Sequence, residues 1–446
     1  MGLLIGAGVV YVAAPSLGIG SSATGTTTVT TTITASGAKA SGLCNGQTVT
    51  IGALNDLSGA LSAQGKGDLA AEQLAIQDVN AFTKQSGCSL TFALDNQDYK
   101  EDTPTALSEL TAMGAAGIQV VVGPLNSGAA AGILSYADSN HIVLISPSST
   151  SQALAIPNDY LFRTAPSDNA QGQADAKELL AAGAKAVIIV NRDDTYGDGL
   201  SNATATWLKL DDPSIVIGGP TKYDVTTSDF TSIISTMSSE YTALSSQVGA
   251  ANVAIYIVAF QEYGSILSQV NTQAPNLLGT TLPWFGMDGI AQNSDLSNSS
   301  SNVASLAAKV GVYSTLFGVL SNSSAAQAFY TRIAGTPAGA AILGGGAYYT
   351  FEGYDDVWLA ALSILDSGQN SGTAIQAILP SVAGQFSGLT GLETLNAAGD
   401  RALFDGSGYQ IWKVVSNGAS SWEWILAGQW DYASNAVTWT TGNAPA

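Results

Sequence analysis

The chain has 446 residues, 46% hydrophobic and only 11% charged, a balance that supports a large buried core and, by length, about two or three domains. Lys and Arg total 14 against 34 Asp and Glu, for a net charge of -20, so there is no basic footprint for nucleic acid or anionic lipid. A single histidine, His141, excludes His-dependent triads and most zinc sites; no nucleophile is paired with a base, and neither enzymatic activity, a metal nor a cofactor is expected.

The N-terminal stretch MGLLIGAGVVYVAAPSLGIG (1–20) is uncharged and long enough for about one bilayer crossing at ~1.5 Å per residue. It reads as a hydrophobic anchor helix, and the Thr/Ser-rich tract over 21–43 reads as a stalk that cannot form a packed core. Anchor and stalk predict a protein held at the outer face of the cell membrane. Sequons at Asn202, Asn298 and Asn322 fit an outward-facing surface. Cys44 and Cys88 read most simply as one disulfide in an extracytoplasmic chain, worth about 4 kcal/mol by loop closure; two separate buried thiols stay open as the alternative.

From Gln47 onward short β-branched runs alternate with helical patterns, the signature of α/β units on parallel sheets. Strands are predicted at VTIGAL (49–54), LTFAL (90–94), IQVVVG (118–123), HIVLIS (141–146), AVIIVN (186–191), VAIYIVAF (253–260) and PWFGMDG (283–289). Between the first two, Ala71, Ala75, Val79 and Phe82 recur at helical spacing and give one apolar face. The strand series restarts at Ala186 after the linking stretch RTAPSD (163–168), which predicts two doubly wound, Rossmann-like lobes. The C-terminal segment reads as antiparallel hairpins with an Asn417-Gly418 turn. Its Trp412, Trp422, Trp424, Trp430 and Trp439 read as packing residues.

In open α/β sheets, ligands bind beyond the carboxyl ends of strands, and polar clusters occupy those positions here. IQVVVG runs into Pro124, Leu125, Asn126 and Ser127, with Ser127 expected as helix N-cap and the free amides behind it favouring an anion. HIVLIS runs into Ser148, Ser149 and Thr150. Clusters without Lys or Arg suit a carboxylate held by neutral donors. In the second lobe Tyr196, Phe260 and Asp288 follow strands, and an acid facing the Ser/Thr clusters would pair with a cation that the ligand brings. A zwitterion meets both ends, which points to an α-amino acid.

The stretches IGALNDLSGALSAQGKGDLAAEQLAIQDVN, VVVGPLNSG, ISPSST, DYLFRTAPSDNAQGQA, DDTYGDG, SDFTSII, PWFGMDG and GYDDVWLAAL stand in the order found in the type 1 periplasmic binding proteins. The run from Val49 to about Asp405 resembles their branched-chain amino-acid receptors, which serve ABC transporters. The resemblance implies two lobes joined by three crossovers near Ala165–Asp168, Gly311–Ser314 and Asp400–Gly406, with 44–166 plus 314–402 as lobe 1 and 167–313 plus 403–446 as lobe 2. It implies that Ser127 and the Thr150 amide hold the ligand carboxylate, and that the Ser148 carbonyl, the Thr150 hydroxyl and Asp288 hold its ammonium. Ser149 lies within the same cluster, Tyr196 closes from lobe 2, and Tyr354 walls the side-chain pocket. Gln64 stands where leucine-type receptors often have an aromatic, and Phe260 replaces a frequent Tyr, so a polar or smaller amino acid, or an amide or urea-like solute, stays open.

RDDTYGDG and the acidic run DNQDYKED (95–102) lack calcium-loop spacing, GGGAYY (344–349) lacks the Lys-Ser/Thr of a phosphate loop, and Asp56 with Ser58 reads as turn chemistry. The low charged fraction suggests an acidic habitat. The leading expectation is an extracytoplasmic receptor that delivers an amino acid to an ABC permease by hinge closure. The competing ones are a surface filament polymerised through residues 1–20 and a sensor domain.

Overall fold

The structure, a computed structural model, describes residues 42–298, 302–319, 324–335, 349–404, 406–418 and 421–445. The expected anchor, the stalk up to residue 41 and the sequon at Asn322 lie outside them. Among the described residues no helix is long and apolar enough to cross a membrane.

Strands β1 (Thr48–Asn55), β2 (Thr91–Asp98), β3 (Val120–Val122), β4 (Val143–Ser146) and β5 (Leu161–Arg163) form one all-parallel sheet in the order β2-β1-β3-β4-β5. Helices α1 (Ser62–Gln85), α2 (Thr103–Ala115) and α3 (Ser127–Asn140) connect them. Val120–Val122 and Val143–Ser146 are buried throughout, because a parallel sheet covered on both faces takes continuous rather than alternating apolar runs. On α1, Ala71, Ala75, Val79 and Phe82 are buried as their spacing predicts. Cys44 and Cys88 form the expected disulfide.

The second lobe repeats the plan. Its elements are α4 (Asp168–Ala181), β6 (Ala186–Arg192), α5 (Thr195–Asp211), β7 (Val216–Tyr223), α6 (Thr231–Val248), β8 (Val253–Val258), α7 (Glu262–Gln273), β9 (Trp284–Gly286), α8 (Asn302–Val310) and β10 (Tyr313–Val319). Tyr313–Val319 pairs with β9 on one side and with Ser407–Lys413 on the other. This corrects the crossover expected at Gly311–Ser314 and the assignment of 314–319 to lobe 1: the segment is an interior strand of the second sheet, and the chain leaves lobe 2 only after Val319.

Helices α9 (Ser324–Ala334), α10 (Thr350–Ser367) and α11 (Gly372–Ala383) return to lobe 1. Phe329 and Ile333 pack on Ala70, Ala71 and Leu74 of α1, and Val357, Leu359 and Ile364 join the core around Val49, Ile51 and Ile145. After a two-stranded hairpin, β11 (Ser387–Gly388) and β12 (Gly391–Leu392), the chain runs beside the first crossover. There buried Arg163 pairs with Asp400 at 2.7 Å, and the Arg401 amide donates to the Arg163 carbonyl at 2.8 Å.

Strands β13 (Ser407–Ser416), β14 (Trp422–Asp431) and β15 (Ala436–Trp439) are antiparallel, and they extend lobe 2 into an eight-stranded sheet, β15-β14-β13-β10-β9-β8-β6-β7. The tryptophans pack: Trp430 is fully buried, Trp424 Nε1 donates to the Asn293 carbonyl at 2.9 Å, and Trp439 meets Tyr313 edge-on at 5.7 Å.

Candidate functional site

The carboxyl ends of the two sheets face each other across a narrow cleft. Leu61, Gln64, Leu125, Asn126, Ser127 and Ser148 line it from lobe 1, and Tyr196, Phe260, Asp288 and Gly289 from lobe 2, with Tyr349 at the start of α10.

Two close backbone approaches place the lobe 1 wall. Gly123 has φ +94°, and a Cβ there would stand 2.4 Å from the Leu54 carbonyl, so only glycine lets the turn after β3 fold over β1. A Cβ at Gly65 would meet the Asp56 carbonyl at 1.9 Å, so the first turn of α1 rests directly on the Asp56 loop and carries Gln64 to the cleft. That loop is the expected turn: Asp56 accepts from the amides of Ser58, Gly59 and Leu61.

The N-cap of α3 is Asn126, which corrects the expectation for Ser127. Asn126 has extended φ and ψ, and its side chain accepts from the Ala129 amide at 2.7 Å, while Ser127 is the first helical residue. Ser127 Oγ instead accepts from the amides of Thr150 and Ser151 at 3.2 and 3.1 Å, joining the two Ser/Thr clusters. Its own proton remains for an acceptor in the cleft. Ser148 Oγ donates to the Leu125 carbonyl at 2.8 Å and accepts from Gln64 Nε2 at 2.7 Å. Thr150 is buried beside them. Ser149 does not line the cleft; its hydroxyl is held by Ser146 Oγ at 2.8 Å and the Pro124 carbonyl at 3.2 Å.

In lobe 2, both carboxylate oxygens of Asp288 accept from neutral donors. Oδ1 accepts from Tyr196 Oη at 2.6 Å and Gln171 Nε2 at 3.1 Å, and Oδ2 from Tyr349 Oη at 2.7 Å. Burial pushes its carboxyl up, and the donors from Tyr196, Tyr349, Gln171 and the Gly289 amide work against that rise. Burial, with the charge of Asp288, also holds both phenols well above the usual tyrosine range. Gln171 continues the network to Thr315 Oγ1 at 3.1 Å, and Thr315 donates to Asp175 at 2.7 Å. Phe260 stacks on Tyr196 with centroids 5.1 Å apart, and the Arg192 guanidinium lies 3.8 Å from the Phe260 ring centre.

Tyr354 does not reach the cleft. Its hydroxyl donates to Asp78 at 2.6 Å and its ring packs on Phe329. Five residues along a helix at ~100° each turn a side chain to another face, and Tyr349, immediately before α10, supplies the aromatic wall. Tyr349 and Gln171 are the site residues that sequence reasoning missed. Both lie inside stretches singled out for other reasons, GGGAYY and DYLFRTAPSDNAQGQA, and only the aromatic at a helix start was a usable signal.

Among the described residues no group of His, Cys, Asp and Glu is arranged to hold a metal. Asn202 and Asn298 are exposed.

Residues 68–417 match the family described as receptor family ligand binding region. An uncharacterized protein of Methanocaldococcus jannaschii is 30% identical over 411 residues, 88% of this chain and 91% of its own length. The leucine-specific-binding protein of Salmonella typhimurium is 24% identical over 254 residues, 56% of this chain and 63% of its own. In fold, the chain is similar to the branched-chain amino acid transporter substrate binding protein of Streptococcus pneumoniae, solved with isoleucine. That match has a TM-score of 0.64 at 22% identity and covers 85% of this chain and 99% of the other.

Proposed function

The chain belongs to the receptor family ligand binding region proteins, with the type 1 periplasmic binding fold, and from that premise we propose that it is an extracytoplasmic receptor that closes on an α-amino acid and hands it to an ABC permease. The observation that carries this reading is the opposition of two sites across one cleft. On lobe 1, the Ser127 hydroxyl stands at the N-terminus of α3 with its proton uncommitted, where a helix end favours a carboxylate. On lobe 2, Asp288 faces the same cleft, and its Oδ2, with one donor from Tyr349, has lone-pair capacity for an ammonium. The Ser148 carbonyl and Thr150 hydroxyl complete the ammonium subsite in this reading. Tethering through residues 1–20 and release to a permease from the closed form belong to the same proposal.

Calorimetric titration of the purified chain with the amino acids tests it. Asp288→Asn keeps the shape and removes the charge, and is expected to weaken binding by at least about tenfold, since a buried ammonium left without its counter-charge costs several kcal/mol. Equal affinity of the variant and the wild-type chain would sink the ammonium assignment. Particle size in detergent separates a tethered monomer from a polymer held together by residues 1–20.

A further inference from the structure

We propose that Gln64 sets the side-chain selectivity of the cleft by presenting an unpaired amide oxygen, so that the ligand is an amino acid whose side chain carries an O–H or N–H donor rather than a purely aliphatic one. The inference rests on the amino-acid reading above.

The orientation of Gln64 follows from a single proton. The Ser148 hydroxyl has one hydrogen to give, and it goes to the Leu125 carbonyl at 2.8 Å. The Gln64 atom 2.7 Å from Ser148 Oγ must therefore be the donor, which makes it Nε2. The same nitrogen donates to Asp68 Oδ2 at 3.2 Å. Both amide hydrogens are thus used inside lobe 1, and Oε1 is left as an acceptor on a residue that lines the cleft and is only 2% exposed.

The neighbouring side-chain donors are directed to other acceptors. The Tyr196 and Tyr349 hydroxyls give their protons to Asp288, and Asn126 Nδ2 donates to Tyr99 Oη at 3.0 Å. The Ser127 proton belongs to the carboxylate end of the proposed pose. Leu61, Leu125 and Phe260 supply an apolar surround, which excludes water that could otherwise serve Oε1 once the lobes close. An aliphatic ligand side chain would seal this oxygen away unpaired, while a hydroxyl or amide N–H of similar shape would satisfy it. An unsatisfied buried acceptor corresponds to about tenfold to a hundredfold in affinity.

The test uses shape-matched pairs: threonine against valine, and asparagine against leucine, each titrated calorimetrically into the full chain. The expected result is that the donor-bearing member of at least one pair binds about tenfold or more tighter. Gln64→Met, which keeps the length and loses the amide, should bring that ratio close to one; its melting curve shows whether it is folded, and the wild-type ratio stands without it. Valine and leucine binding as tightly as threonine and asparagine, or tighter, would overturn the assignment and leave the amino-acid receptor intact. Binding of none of the amino acids overturns both.

Discussion

Arg192 of the second lobe donates to Glu101 of the first at 2.5 Å, across the mouth of the cleft and beside the ring of Phe260 that Arg192 covers. Its two other acidic partners, Asp194 at 2.6 Å and Glu262 at 3.0 Å, lie in lobe 2. Arg192 therefore stays paired when the lobes part, and the Glu101 contact exists only when they meet. Within lobe 1 Glu101 also accepts from the Ala60 amide at 3.0 Å, a bond that a glutamine oxygen can keep, so Glu101→Gln isolates the contribution to closure. Glu101→Gln is expected to weaken ligand binding by about 1–2 kcal/mol, between an exposed and a buried pair, or about fivefold to thirtyfold. The loss should fall mainly on the dissociation rate and leave the melting temperature without ligand nearly unchanged. A variant that melts several degrees lower at unchanged affinity would place Glu101 in the fold and not in closure.

The disulfide predicts the opposite pattern. Cys44 and Cys88 are 44 residues apart in sequence and tie the approach to β1 to the end of α1, on the side of lobe 1 away from the cleft. Replacing both with serine should lower unfolding stability by about 4 kcal/mol or less, measured by urea denaturation, with ligand affinity retained in the folded fraction. Loss of affinity in fully folded protein would show that this loop bears on the site.

Much of the fold is legible in the sequence because parallel strands covered on both faces must be continuous apolar runs, and VVV, VLIS and AVIIV have few other readings. Strand β5 is three residues long and β7 carries Gly218, Gly219 and Pro220, so neither has a clean strand pattern. Tyr313–Val319 mixes apolar with small and polar residues, and only its pairing with β9 and with Ser407–Lys413, about a hundred residues on, assigns it to lobe 2. The clusters at Ser127, Ser148 and Asp288 are legible because strand ends in this architecture are where ligands sit. The donors around Asp288 are not. Gln171 and Tyr349 reach it from two different chain segments, 117 and 61 residues away in sequence, and local pattern holds no record of such meetings.

Tyr349 and Tyr354 offer a direct comparison of a cleft residue with a packing residue. Tyr349→Phe removes one of three side-chain donors to Asp288, which should raise the tendency of that carboxyl to hold a proton and lower amino-acid affinity by about 1–2 kcal/mol. Tyr354→Phe loses the bond to Asp78, which keeps its pairing with Arg332 at 2.8 Å. It should cost about 1 kcal/mol of stability and nothing in binding. Titration of both variants against one ligand checks this; the reverse ranking would return the aromatic wall to Tyr354.

Acid should stabilise this protein. Glu72 on α1, Asp175 on α4 and Glu352 on α10 are buried, and burial pushes each carboxyl up to about 8. The same cause raises Asp68, Asp355 and Asp356 well above the usual range, against the buried cations Arg163, Arg192 and Arg401 among the described residues. In the unfolded chain these carboxyls lose their protons near pH 4. Between about pH 4 and 8 the folded chain binds more protons than the unfolded one, so the stability these groups contribute is complete below about pH 4 and is lost as pH rises toward 8. The urea midpoint is expected to be higher at pH 5 than at pH 8. Glu72→Gln removes the proton dependence at one position while keeping an acceptor for Asn55, whose Nδ2 donates to Glu72 at 2.8 Å. Its stability relative to wild type should therefore improve with rising pH, by up to roughly 1.4 kcal/mol per unit. A wild-type midpoint that climbs from pH 5 to pH 8 would mean that the buried carboxylates are ionised and paired, and would remove the physical basis for an acidic working environment.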